Sequence, residues 1–220
     1  FREGAEERKK IWLKSLAWRK SKHIDITVKE KVLNILLYQA EFAKDALMTM
    51  LELSLKKNIS INADCLHGLL QQQQMVHRDL FLGYVMLKAH EKHTIINRLL
   101  KNAIYIENAK VDVGIVKMWE LALGWFTCLN DIYTRDLASK GLVNLLKIYP
   151  ETIFYLIDSF SKVNDEYIQE RIWGAINASL ILNNNKEKLV EVTQYIYKNF
   201  VQPRNFPVNV MIRDYLRNIG

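Results

Sequence analysis

At 220 residues, half of them hydrophobic, the chain can bury a sizeable core, and its eight glycines and three prolines are too few for an all-β fold with many tight turns. No apolar run reaches the roughly 18 residues that a membrane-spanning helix needs, and no secretory leader is legible. The formal net charge of +7 is concentrated at one end: residues 1–22 hold eight basic and three acidic side chains, whereas a nucleic-acid groove would spread its basic residues along one face.

Residues 4–18 have the apolar spacing of an amphipathic helix, with Ile11, Trp12, Leu16 and Trp18 expected to face inward. Thr27 and Glu30 fit a capping box for a helix that buries Val28, Val32, Ile35 and Leu36. Another helix is predicted over Phe42–Lys56 with Leu47, Met50, Leu51 and Leu55 inward, its methionines reading as core filler. Asn62 is the cap candidate for a short helix over 63–74. Arg78-Asp79 is expected to open the next helix, which carries Phe81, Leu82, Val85 and Met86, and a further helix is predicted over Ile95–Ile106. The polar segment Glu107–Asp112 is the expected boundary between an N-terminal helical part, 1–110, and a C-terminal part, 111–220.

The stretch 118–182 has the clearest pattern. Ile115, Met118, Trp119, Ala122, Phe126 and Leu129 recur at helical spacing. Thr134 is a cap candidate for a helix lined by Leu142, Leu145, Leu146 and Tyr149. Pro150 ends that helix, because it lacks an N–H, and suits the first turn of another that buries Ile153, Leu156, Ile157 and Phe160. Asn164 and Asp165 are cap candidates for a fourth helix, apolar on two sides through Ile168, Ile172 and Ile176 on one and Trp173 and Leu180 on another; such a helix needs two neighbours. A helix is predicted over Glu187–Phe200 and the last from about Val208. From 111 onward the helices pair with a period of about 35–40 residues, near the range of helical repeats. The expected fold class is therefore all-α: an α-solenoid of HEAT-like antiparallel helix pairs, each pair burying its apolar face against the next.

Charged pairs recur near helix starts at Arg135-Asp136, Glu170-Arg171 and Arg213-Asp214, with Asp165 close by. Half-buried charges in a stack need partners, so these seven residues are expected to form structural ion pairs. No catalytic, cofactor-binding or metal-binding set is legible. The pairs Cys65/His67 and His90/His93 have no obvious third ligand for zinc, neither cysteine sits in a nucleophile motif, and no Gly-rich phosphate loop occurs. Cys65 and Cys128, far apart, read as reduced thiols of a cytoplasmic protein.

Several segments in fixed order resemble a known family. They are LAWR at 16–19, INADCLHGLL at 61–70, HRD at 77–79, ELALGWFTCLN at 120–130, TRDLASKGLVNLL at 134–146, VNDEYIQERIWGAINASL at 163–180 with its D-x-Y-x-x-E-R core, and FPVNVMIRDYLRNI at 206–219. Together they are similar to the C-terminal helical region of large bacterial STAND-type NTPases of antiviral defence, often described only as ATP-binding proteins. Asn209 departs from that pattern, standing where an acidic residue is common. The resemblance implies a fragment of a longer protein with an upstream NTPase and an effector domain. It also implies that this helical segment recognises a phage protein or holds the assembly inactive, and with no catalytic set legible the segment itself is not expected to be an enzyme. Its partners would be a protein, such as a phage protein, and the rest of its own chain, with no membrane partner. A nucleic-acid-binding helical repeat is the alternative.

Overall fold

A computed structural model describes residues 2–91, 93–106, 110–183 and 185–220. Among them are twelve α-helices and no strand. Contacts divide the chain into two compact units, Phe1–Leu99 and Leu100–Gly220. Part of the predicted boundary segment, 107–109, lies outside the described residues.

The first unit contains α1 (Arg2–Leu16), α2 (Ile26–Tyr38), α3 (Ala40–Leu53), α4 (Ala63–Gln72), α5 (Met75–Ala89) and the start of α6 (Ile95–Ile104). The central helix is α3, which packs against α1, α2, α4 and α5. Its Phe42, Leu47, Met50, Leu51 and Leu53 are buried, each such side chain contributing about 1.5–3 kcal/mol relative to exposure. In α1 the inward face is Leu13 and Leu16, while Ile11 is 58% and Trp18 is 90% exposed, against the expectation for both. The reason is angular: at 100° per residue Ile11 lies on the far side of α1 from Leu16, and Trp18 falls beyond the last helical residue. Lys56 Nζ closes that end by donating to the carbonyls of Ala17 and Arg19.

Two predicted caps shift by a few residues. Asp25, not Thr27, accepts from the Val28 N–H at the start of α2, and Asp131, not Thr134, caps α8. In both cases a carboxylate just upstream of the apolar run supplies the acceptor. Asn62 and Asp165 accept from backbone N–H groups in the first turns of α4 and α10, as their positions implied. The helix expected to open at Arg78 begins one turn earlier, at Met75, and Arg78 is buried within it.

The second unit holds the end of α6, then α7 (Val113–Phe126), α8 (Ile132–Ile148), α9 (Ile153–Ser161), α10 (Glu166–Asn183), α11 (Lys186–Ile196) and α12 (Val210–Ile219). Pro150–Thr152 forms a 3₁₀ turn leading into α9, and Tyr197–Val201 is a π-helical turn continuing α11. Helix α10 packs against α8 on one side and α12 on another, which explains its two apolar sides. Helix α7 packs against α8 and α9, and α9 meets α11 where the Phe154 and Tyr195 rings lie 5.5 Å apart. Asparagines close helix ends across these contacts: Asn144 Nδ2 donates to the Ala103 and Ile104 carbonyls of α6, and Asn183 Nδ2 to the Lys147 carbonyl of α8.

Two glycines permit the close approach of helices. A Cβ on Gly124 of α7 would stand 2.5 Å from the buried Phe160 ring, which packs on Trp125 with centroids 5.6 Å apart. A Cβ on Gly141 of α8 would stand 2.9 Å from that of Ala103.

Candidate functional site

The apolar stripe of α11 continues through its π-turn, so Ile196, Phe200 and Val201 follow one another along one face toward α12. Beyond the turn the chain must stop being helical and come back to start α12. It does so through a Schellman arrangement, in which Arg204 N–H donates to the Val201 carbonyl and Asn205 N–H to the Phe200 carbonyl. Arg204 occupies the left-handed position at φ 53°, where glycine is usual. Asn209 then caps α12 by accepting from the Ile212 N–H, and its Nδ2 donates to Glu170 Oε2 of α10 at 3.3 Å. At the far end the Thr193 hydroxyl of α11 donates to the Ile219 carbonyl of α12 at 3.1 Å.

These ties hold α11 and α12 on either side of a half-open groove of about 570 Å³. Its floor is Ile196 and Leu216, both buried, and its walls are Tyr197, Val201 and Phe206, which are 60%, 40% and 52% exposed. Phe200 is braced from behind, its ring edge-on to the buried Trp173 at 5.9 Å. The charged residues lining the groove are both arginines, Arg213 and Arg217, one helical turn apart on α12. Arg217 Nη1 also meets Asp214 Oδ1 at 3.3 Å, in an exposed pair. Exposed aromatic walls with guanidinium groups beside them suit an apolar side chain carrying or flanked by a negative group. Aromatic and arginine residues are also the types that dominate binding energy at protein interfaces.

The seven residues singled out in the sequence are placed as follows. Asp165 caps α10. Adjacent on α10, Glu170 and Arg171 turn to different neighbours: Glu170 accepts from Asn209 before α12, and Arg171 Nη2 donates to Ser139 Oγ of α8 at 2.8 Å. Arg135 is half-buried on α8, its carbonyl accepting from the Ser139 hydroxyl, while Asp136 is exposed. Asp214 pairs with Arg217 along α12, and Arg213 lines the groove. Among the described residues no three His, Cys, Asp or Glu side chains converge as a metal site requires. Burial pushes the Cys65 thiol up from its ordinary value, outweighing the opposite pull of Lys29, which keeps it less nucleophilic.

Sequence reasoning missed the groove because its walls come from the end of one helix, a connecting loop and the next helix. It also missed Glu120, whose signal was present: one acid inside the apolar run Met118–Phe126. Glu120 is fully buried in α7, with Oε1 2.5 Å from the Thr152 hydroxyl and Oε2 without a hydrogen-bond partner among the described residues. Burial is the main cause that pushes its carboxyl up to about 8.

Compared with family models, with curated proteins and with solved structures, the chain matches none.

Proposed function

We propose that this chain is a protein-recognition scaffold, the C-terminal helical-repeat region of an antiviral STAND-type NTPase, which engages a phage protein or holds its own assembly inactive until one arrives. The observation that carries the recognition half is the aromatic groove between α11 and α12, with its two arginines. A cleft whose open walls are aromatic, with arginines beside them, has the composition of the residues that dominate binding at protein interfaces. In this reading the segment contributes recognition and no catalysis, and it works in the bacterial cytoplasm.

The family half rests on the ordered sequence segments. The packing of the second unit supports its HEAT-like aspect. Helices α8, α10 and α12 contact one another in series, as do α7, α9 and α11, and α7 packs on α8, α9 on α10 and α11 on α12. Neighbouring helices joined by short loops pair antiparallel, and such pairs stacked side by side form a continuous core.

A second reading, nucleic-acid binding, is favoured by one observation: Arg8, Lys10, Lys14, Lys20 and Lys22 are all exposed on or just after α1. Lys9 of the same cluster is instead used internally, donating to Gln39 and lying 4.3 Å from the Phe42 ring centroid. The deciding experiment is a pull-down with phage structural proteins beside a DNA titration at low and near-physiological salt. The scaffold reading expects a protein partner, and DNA binding that fades steeply with salt. Tight, salt-resistant DNA binding with no protein partner overturns it.

A further inference from the structure

We infer that the groove between α11 and α12 docks an acidic amphipathic peptide segment of a partner protein, its apolar side chains entering between Tyr197 and Phe206 and its carboxylates meeting Arg213 and Arg217. The inference rests on the recognition reading above and specifies the chemistry of the partner.

The first argument is charge complementarity. The groove is lined by apolar and aromatic residues with two guanidinium groups, and no acidic side chain lines it among the described residues. A basic ligand would be repelled by these two cations, and a carboxylate-bearing one attracted to them. The second argument is spacing. Arg213 and Arg217 lie four residues apart on α12, a rise of about 6 Å, which matches carboxylates four residues apart on a helical partner. The third is size. A volume of about 570 Å³ falls within the roughly 300–1,000 Å³ of clefts that enclose a ligand, room for a few large side chains rather than a whole domain surface. Val210, one turn before Arg213 on α12, is exposed as well.

Asp214 gives the inference a signature. It is the acid already paired with Arg217, across an exposed 3.3 Å contact, so it competes with an incoming carboxylate. Removing it frees Arg217, and the binding of an acidic peptide tightens. A residue with a purely structural role would, when removed, weaken binding or leave it unchanged.

The test is a displayed library of random peptides selected against the 220-residue chain, against an Arg213→Glu/Arg217→Glu variant and against Asp214→Asn. All three positions are at least half-exposed or at the surface, and thermal melts confirm that each variant folds. The expected result is enrichment of peptides that combine large apolar residues with Asp or Glu. On the charge-reversed variant their binding is expected to fall about tenfold or more, with selection shifting toward Lys and Arg. On Asp214→Asn the same acidic peptides are expected to bind about two- to fivefold more tightly, the scale of an exposed ion pair. Selected peptides without acids, no enrichment at all, or binding unaffected by charge reversal overturns the inference. So does displacement of the peptides by a DNA oligonucleotide at physiological salt, or self-association of the chain through this face in sedimentation. The recognition reading is judged separately: a phage protein captured equally by the parent and the charge-reversed variant keeps that reading and removes this one, while capture by neither removes both.

Discussion

The Thr152 hydroxyl lies 2.5 Å from the Glu120 carboxyl and 2.8 Å from the Tyr149 carbonyl. A hydroxyl has one hydrogen, so both contacts are hydrogen bonds only when Glu120 is itself protonated and donates to Thr152, which in turn donates to Tyr149. Full burial is the largest influence and favours the neutral acid, against a Thr152 hydroxyl that would donate to the ionised form; of the smaller influences Glu151 adds to burial and Lys117 opposes it. A folded-state value of about 8 against an ordinary 4.5 means the native state holds a proton that the unfolded chain gives up. The stability this group contributes is therefore complete below about pH 4.5 and is lost as pH rises to about 8.

Glu120→Gln keeps the shape and the neutral donor without the ionisation. Its unfolding free energy is expected to match the parent's near pH 5 and to exceed it at pH 8 by on the order of a few kcal/mol, with a correspondingly higher melting temperature there. Thermal melts across that range check it; a parent and variant with parallel pH profiles would show that Glu120 is ionised in the fold.

Gly124 lies against the Phe160 ring so closely that a Cβ there has no room. Phe160 is buried and held against Trp125, so it has little freedom to move aside. Gly124→Ala is expected to lower stability by about 1–3 kcal/mol through overpacking, despite the higher helix propensity of alanine. Chemical denaturation measures it, and an unchanged or raised midpoint would mean that α7 and α9 separate at little cost.

Arg204 adopts the left-handed conformation in which a side chain costs roughly 1 kcal/mol relative to glycine. Arg204→Gly relieves that strain but adds freedom to the unfolded chain, so a net gain of at most about 0.5 kcal/mol is expected. A loss of stability would show that the arginine side chain makes a contact worth more than the strain.

Helix positions and the apolar faces of α7 to α10 were legible because most residues there obey a local rule, a stripe at period 3.6 or a proline at a helix start; the buried Glu120 and the Asp131 cap are the exceptions. Tertiary facts were less legible. Ile11 and Trp18 are apolar residues left at the surface of the first unit: the helical angle alone sets Ile11 apart from Leu16, whereas Trp18 is set apart only once the helix end is known. Adjacent charges such as Glu170 and Arg171 announce that something polar must be satisfied, but not that one turns to Asn209 and the other to Ser139. The groove was invisible for a related reason. Tyr197, Phe206 and Arg213 become neighbours only through the π-turn and the Schellman turn that ends it.

The most direct test of the central claim, that the second unit recognises protein through this groove, is the affinity of a captured phage structural protein for the parent chain and for Phe206→Ala, measured by calorimetry. Phe206 is half-exposed, so its truncation is expected to leave the melting temperature nearly unchanged while weakening binding by about 2 kcal/mol, the scale of a central aromatic anchor. Equal affinity for the two chains, or no phage protein bound by either, would contradict the claim.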